Sequence, residues 1–140
     1  MNVVDASVAV KWFVDEKRSA AAFELLERKQ GLLRVPELFV LEVAATLVRI
    51  ANIDKASREN SQAALYHLLD LLDRGALTVE ASPPGQIVDA AQLAIDLGHP
   101  IKDCVNLALA MKLDCPLVTA DAKFAAKARE RWPHIDVLAE

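Results

Sequence analysis

Short apolar runs alternate with longer helical segments along the whole chain, and this alternation limits the fold more than any other feature. The short runs are rich in Val and Leu, as buried strands are, and predict strands at 1–4, 32–35, 76–79, 117–119 and 135–138. The segments between them carry apolar residues at helical spacing and predict helices at 6–13, 19–30, 37–51, 57–74, 86–97, 103–111 and 122–131. This order predicts an α/β fold in three layers, with a mostly parallel, doubly wound sheet between helices.

The carboxyl ends of the predicted strands are where a ligand site is expected. In open parallel sheets the site lies off these ends, at the point where the strand order reverses. Asp5 directly follows the first predicted strand, and Asp121 lies just after the fourth. If those two strands are neighbours, the two acids flank the crevice in which chemistry is expected.

The length and composition of the chain favour one folded domain over residues 1–140. A chain of 140 residues, 54% hydrophobic and 26% charged, is long enough for one core. No apolar run reaches the length of a membrane span, and strand-like sequence begins at Asn2 without a basic leader. We therefore expect a cytoplasmic protein. Cys104 and Cys115 lack paired metal-ligand spacing, so we expect free, buried thiols.

The net charge of −4 limits how this protein could hold nucleic acid. Binding by bulk electrostatics requires excess positive charge, which the chain lacks. The charge does not exclude a nucleic-acid enzyme, because carboxylates that hold a divalent cation add negative charge where the chemistry occurs. Contacts with a polyanion must then be local. Lys102 and Lys123 are the better candidates for them, because they lie beside Asp103 and near Asp121. Further candidates are Lys11, Arg18 and Lys127.

Four acids stand where plain folding gives them no obvious partner. Asp5 and Asp121 could cap the helices that follow them, and Asp103 could belong to a helical first turn. Glu42 resists that explanation, because it is the only ionisable residue between positions 38 and 48 and lies inside a predicted helix. A buried, unpaired carboxylate costs several kcal/mol. One shared cluster explains all four acids, whereas capping leaves Glu42 without a role.

A cluster made only of carboxylate oxygens favours a hard cation. Mg²⁺ or Mn²⁺ prefers oxygen ligands, whereas zinc would require His or Cys. His67, His99 and His134 show no ligand spacing, so we expect surface or structural roles for them. Hydrated Mg²⁺ held by acids is suited to phosphoryl chemistry, because the metal activates water and neutralises charge on the scissile phosphate.

Four segments together resemble the PIN-domain family. They are Val3-Val4-Asp5-Ala6-Ser7, the Pro36 to Leu47 segment, Pro100 to Asp103 with the Leu107-Ala108-Leu109-Ala110 run, and Leu117 to Asp121 with Phe124. Each motif alone is weak, but their order covers almost the whole chain. Within the family the chain is most similar to VapC-type toxins, which are small stand-alone domains.

The resemblance implies both a topology and an activity. The fold would be a five-stranded sheet in the order 3-2-1-4-5, and the activity that of a metal-dependent endoribonuclease cleaving RNA phosphodiester bonds. The protein would be the toxin of a type II toxin–antitoxin pair, with a small antitoxin as partner and a homodimer as its assembly. The cofactor would be Mg²⁺ or Mn²⁺.

The resemblance also assigns roles to individual residues. Asp5, Glu42, Asp103 and Asp121 correspond by position to the acidic, metal-binding and catalytic set. Ser7 and Thr119 match hydroxyl positions near that site, where they would orient carboxylates or water; ordinary helix-start and strand hydroxyls are the alternative. Asn106 is a departure, because the family often has Tyr there. Asn is compatible with a supporting role beside a metal site.

Two other classes of protein compete with a nuclease. The first is a catalytically inactive PIN-fold module that only binds a protein partner; four mutually repelling acids would give it no advantage. The second is a phosphoryl-transfer receiver domain, which would place Asp after the third strand and Lys after the fifth. This chain instead has Glu80 and Ala139 near those positions, which disfavours a receiver.

Overall fold

The computed structural model describes residues 1–139, in which strands and helices alternate as predicted. The strands are β1 (Asn2–Val4), β2 (Leu33–Pro36), β3 (Leu77–Glu80), β4 (Leu117–Thr119) and β5 (Ile135–Val137). The helices are α1 (Ala6–Ala9), α2 (Ser19–Arg28), α3 (Leu38–Ile53), α4 (Arg58–Asp73), α5 (Pro84–Leu97), α6 (Ile101–Leu113) and α7 (Ala122–Ala128). Short 3₁₀ turns follow α1 and α3, at Val10–Trp12 and Lys55–Ser57.

The predicted boundaries of several helices were wrong, and proline chemistry explains two of them. Helix α5 begins at Pro84 rather than at residue 86. Proline suits the first turn of a helix because its φ is already helical and it has no N–H to leave unpaired. Helix α7 ends at Ala128 rather than at residue 131. Pro133 disfavours helical backbone at Trp132, so the chain turns away towards β5.

Helices α1 and α6 also differ from the prediction. Helix α1 ends at Ala9 and tightens into a 3₁₀ turn before residue 13. Helix α6 begins at Ile101, two residues before Asp103, with Pro100 at its N-cap position. Asp103 therefore lies in the first turn of α6 rather than at its first position.

All five strands are parallel and form one sheet in the order β3-β2-β1-β4-β5. This confirms the order that the family resemblance implies. Strands β1 and β4 are neighbours, with Val3 opposite Leu117 and Val4 opposite Val118. The strand order reverses between them, so the topological switch point lies at their carboxyl ends.

The core divides into two apolar clusters, and neighbouring strand residues belong to different ones. Val4 and Val118 belong to the cluster with α1 to α4, and Val3 and Leu117 to the cluster with α5, α6 and α7. Successive strand residues point to opposite faces of a sheet, which explains this division. The result is the predicted three-layer α/β/α arrangement. Cys104 and Cys115 are free and buried, as predicted.

Within residues 1–139, none of the helices is long and apolar enough to cross a membrane.

The sheet core is testable by truncating one strand residue. Leu117 is fully buried in β4, so Leu117→Ala should lower the free energy of unfolding by about 2–5 kcal/mol, because it removes buried methyl groups and leaves a cavity. Urea denaturation measures the change. The same substitution at Leu41, which is 67% exposed, is the matched control and should change the stability by no more than about 0.5 kcal/mol. Equal effects at both positions would contradict the assigned core.

Candidate metal centre

All four acids singled out in the sequence line one cavity at the carboxyl ends of β1 and β4. The cavity has a volume of about 580 Å³. Asp5 reaches it from the end of β1, Glu42 from the middle of α3, Asp103 from the first turn of α6, and Asp121 from the start of α7. Residues that lie far apart in the sequence therefore meet at the predicted switch point.

Asp5 is a buried carboxylate held by three side-chain donors. It is only 5% exposed. The hydroxyls of Ser7 and Thr119 donate to its Oδ2 at 2.8 and 2.9 Å, and Asn106 Nδ2 donates to its Oδ1 at 3.2 Å. Although Asp5 occupies the N-cap position of α1, its side chain makes no capping hydrogen bond. Capping was therefore the wrong explanation for Asp5.

The two hydroxyls that hold Asp5 are themselves fixed by backbone amides. Ser7 Oγ accepts a hydrogen bond from Ala120 N at 3.2 Å, and Thr119 Oγ1 accepts one from Asp121 N at 3.1 Å. The orientation of Asp5 is thus coupled to the backbone between β4 and α7. This network ties the first acid to the segment that carries the fourth.

Burial and like charge make the ionised form of Asp5 costly. Desolvation raises the pKa of Asp5 above its ordinary value, and the negative charge of Asp103 raises it further. The hydrogen bonds from Ser7 and Thr119 act in the opposite direction, because they stabilise the carboxylate. The donors offset only part of the cost, so the net pKa stays raised.

Glu42 lines the same cavity. It lies within α3, and its side chain is partly buried. Desolvation, together with the negative charges of Asp5 and Asp103, raises the pKa of Glu42 to about 7, although Lys102 lowers it in part. Glu42 can therefore change its protonation state near neutral pH.

Asp121 and Asp103 combine the local roles considered for them with a place in the cavity. Asp121 caps α7, since its Oδ1 accepts a hydrogen bond from Phe124 N at 3.0 Å. Such a cap uses one carboxylate oxygen and leaves the other for further contacts. Asp103 lies in the first turn of α6, where the helix dipole favours a negative charge. For these two acids, local stabilisation and a metal-binding role are compatible.

His99, for which a surface or structural role was expected, contacts one of the four acids. Its Nε2 lies 2.5 Å from Asp103 Oδ2. One ligand atom each from His99, Asp103 and Asp121 lies within 4.8 Å of the others. The available signal was the four-residue separation between His99 and Asp103, which pairs side chains across a helical turn.

The other two histidines pack against aromatic rings. The ring centroids of His67 and Phe13 are 5.5 Å apart, and those of His134 and Trp132 are 4.8 Å apart. Neither His67 nor His134 lines the acidic cavity among the described residues.

The basic residues along the cavity differ in part from those predicted. Lys102 and Lys11 line it, and Lys11 forms an ion pair with Glu16 at 2.8 Å. Arg49, which the sequence reasoning missed, also lines it; its position seven residues after Glu42 places it two turns along the same helix face. Lys123 does not line the cavity among the described residues.

The remaining two candidates, Arg18 and Lys127, do not line the cavity either, within residues 1–139. Lys127 Nζ instead donates to the carbonyl oxygen of Gly98 at 3.2 Å.

The donor set at this cavity fits a hard divalent cation. Carboxylates from four elements line it; among the described residues, ligand atoms of Asp103 and Asp121 lie within 4.8 Å of each other, whereas Asp5 and Glu42 belong to no group that close. The pKa values of Asp5 and Glu42 are raised partly by the other negative charges. A divalent cation would relieve that repulsion, and oxygen ligands are those that Mg²⁺ and Mn²⁺ prefer. The residues present therefore fit the cation that the sequence predicted.

A model of the PIN-domain family matches residues 3–130, which is most of this chain. A search of curated proteins finds no match.

Solved structures of prokaryotic proteins share the fold over nearly their full lengths. VapC20 of Mycobacterium tuberculosis, described as a sarcin–ricin loop cleaving toxin, has a TM-score of 0.71 and 17% identity, and covers 90% of this chain and 94% of its own. A toxin–antitoxin complex from Klebsiella pneumoniae has a TM-score of 0.69 and 14% identity, and covers 100% of this chain and 99% of that one. PAE2754 from Pyrobaculum aerophilum has a TM-score of 0.68 and 23% identity, and the match covers 90% of this chain and 83% of that one. At these identities the likeness shows the fold alone.

The raised pKa of Glu42 predicts a specific dependence of stability on pH. Its pKa rises from an ordinary 4.5 to about 7 on folding, so between these pH values the folded state binds more protons than the unfolded state. Stability should therefore fall as pH rises through this window. The Glu42→Gln variant has no titrating group at this position, so this contribution to the pH dependence of its stability is absent.

Thermal melting in EDTA from pH 4.5 to pH 8 measures this effect. The Tm difference between Glu42→Gln and the wild type should be smallest near pH 4.5, grow in favour of the variant as the pH rises, and level off above about pH 7. A constant difference across the whole range would contradict the raised pKa.

Proposed function

The chain belongs to the PIN-domain family, and on that basis we propose that it is a metal-dependent endoribonuclease, the toxin of a type II toxin–antitoxin pair. The observation that carries the proposal is the convergence of Asp5, Glu42, Asp103 and Asp121 on one cavity at the switch point of the sheet. A module that only binds a protein partner gains nothing from desolvated, mutually repelling acids. The arrangement therefore favours catalysis over the inactive binding module.

Asp5, Asp103 and Asp121 would hold one or two Mg²⁺ or Mn²⁺ ions, and Glu42 would complete the acidic set around them. Such a cation would lower the pKa of water and neutralise the charge that develops on the scissile phosphate. Asp5 is the most rigid of the four, because donors from α1, α6 and β4 fix both of its oxygens. Ser7, Asn106 and Thr119 would therefore act as supporting residues that keep this carboxylate in a single orientation.

Glu42 is the acid best suited to receive a proton during hydrolysis. Burial and the negative charges of Asp5 and Asp103 raise its pKa to about 7 in the metal-free protein, which supports this role. A general base works best when its pKa lies near the working pH. Attack of water on phosphorus would break the bond to the leaving 3′-oxygen and release a proton, which a Glu42 oxygen at the cavity wall would accept.

The basic residues at the cavity would hold the RNA backbone. Arg49 and Lys102 line the same cavity as the acids, so a phosphate bound by them lies close to the carboxylates. This is the local contact with a polyanion that a chain of net charge −4 requires. The acidic and basic side chains together would hold one phosphodiester bond of the RNA next to the bound cation.

The structural neighbours support the biological part of the proposal. One is a toxin described as cleaving the sarcin–ricin loop, and another is a toxin–antitoxin complex. We accordingly include a small antitoxin partner in the proposal. The homodimer that the family resemblance implies and a cytoplasmic site of action are also part of the proposal.

The central test is cleavage of total cellular RNA by purified protein. Discrete fragments should appear in Mn²⁺ or Mg²⁺ and disappear in EDTA. Asp103→Asn keeps the size of the side chain and removes its charge, so it should slow cleavage by at least about 100-fold. Loss of a residue that only hydrogen-bonds to a metal ligand already lowers metal affinity or activity by about 10–100-fold. In a preparation freed of other nucleases, fragments that persist in EDTA or with Asp103→Asn would contradict the proposal.

A second test concerns the RNA backbone. Arg49→Ala should raise the KM for RNA with little change in kcat, because the guanidinium binds phosphate rather than the reacting atoms. The slope of log KM against log salt concentration should fall by about 0.7, the value for one phosphate contact with a single strand. Lys123→Ala is the matched control, since Lys123 is exposed but does not line the cavity. Equal changes in both variants would argue against a specific role for Arg49.

A further inference from the structure

His99 is held rigidly between two helices. Gly98 ends α5 in the left-handed conformation at φ 63°, and Pro100 occupies the N-cap position of α6. The backbone amide of His99 donates to the carbonyl oxygen of Ala94 at 3.0 Å. The backbone of His99 is therefore fixed on both sides.

The imidazole ring of His99 is also packed in place. It lies on Phe124, with ring centroids 4.7 Å apart and planes at 35°, and its side chain is only 12% exposed. The backbone amide of Phe124 donates to Asp121 Oδ1. Phe124 thus supports His99 with its ring and Asp121 with its amide, which explains why His99, Asp103 and Asp121 lie so close together.

The contact between His99 and Asp103 fixes the role of each atom. With Asp103 ionised, its Oδ2 only accepts hydrogen bonds, so this contact requires the His99 tautomer that carries a proton on Nε2. A nitrogen that carries this proton has no lone pair for a metal. In this tautomer His99 lies beside Asp103 and Asp121 as a hydrogen-bond donor to Asp103.

We propose that His99 is a positioning residue that fixes the carboxylate of Asp103 through Oδ2 and so presents Oδ1 to a divalent cation. This inference rests on the proposed metal-dependent function. The side chain of Asp103 is 27% exposed at the start of α6, and without the imidazole it would sample several rotamers. Loss of such an outer partner typically weakens metal binding or activity by about 10–100-fold.

Two variants separate hydrogen bonding from packing. His99→Phe keeps an aromatic ring against Phe124 but removes the donor. His99→Gln loses the ring but offers an amide N–H to Asp103. The dissociation constant for Mn²⁺ is measured by EPR titration of the free ion, and urea denaturation shows that each variant is folded.

The expected result is a split between the two variants. His99→Phe should raise the dissociation constant for Mn²⁺ by about 10-fold or more and lower kcat on RNA without raising KM. His99→Gln should recover most of the lost affinity, which a purely structural role for the ring does not predict. Unchanged Mn²⁺ affinity in His99→Phe, or equal losses in both variants, would overturn the inference.

Pulsed EPR of bound Mn²⁺ tests the geometry directly. A positioning role predicts no directly coordinated histidine nitrogen in the wild type. A nitrogen coupling that disappears in His99→Phe would show that His99 is a ligand, which overturns the inference.

The outcomes also separate this inference from the proposed function. If the wild type cleaves RNA in a metal-dependent way and His99→Phe matches it in Mn²⁺ affinity, only the inference fails. If Mn²⁺ binding depends on His99 as described but RNA stays intact, only the ribonuclease assignment fails. If the wild type binds no Mn²⁺, both fail.

Discussion

The buried carboxylate of Asp5 is the constraint on which the site depends. A carboxylate taken out of water costs several kcal/mol unless donors or a cation compensate. Its three donors come from α1, α6 and β4, so they meet only when the sheet and both helical layers are assembled. The register of β1 on β4 is part of this arrangement, because Asp5 N donates to Val118 O at 3.0 Å. A shift of one residue would turn Asp5 to the other face of the sheet.

The fold was largely predictable because its signals are local. The alternation of apolar runs with helical segments predicted the three layers. Because β1 and β4 are neighbours, Asp5 and Asp121 at their carboxyl ends line the same cavity. The strand order itself came from the family resemblance rather than from periodicity. Glu42 was singled out because it is the only charged residue in an apolar helix. The apolar neighbours that make it stand out lie within a few residues of it in the sequence.

Features that depend on distant contacts were not predictable in the same way. The position of His99 depends on the Gly98 turn and on the ring of Phe124, which lies far along the chain. Lys123 is close to Asp121 in sequence, but the start of α7 places it outside the cavity wall, whereas Arg49 is distant from every strand end and reaches the wall from α3. Proximity to an acid in the sequence did not predict which basic residues line the cavity, because the cavity is formed by helices and strand ends from different parts of the chain.

The hydrogen-bond donors around the acids distinguish Glu42 from the others. Asp5 has three side-chain donors, Asp121 has the amide of Phe124, and Asp103 has the imidazole of His99. Within residues 1–139, no hydrogen-bond donor reaches the Glu42 carboxylate. Donors favour the ionised form of an acid, and desolvation without them favours the protonated form. Three of the acids therefore have donors that hold their carboxylates in place, although burial still keeps the pKa of Asp5 raised, while Glu42, with its pKa raised to about 7, lies among apolar side chains without such donors in the described residues. This division follows from where each acid lies: strand ends and helix starts supply amide and side-chain donors, and the middle of an apolar helix does not.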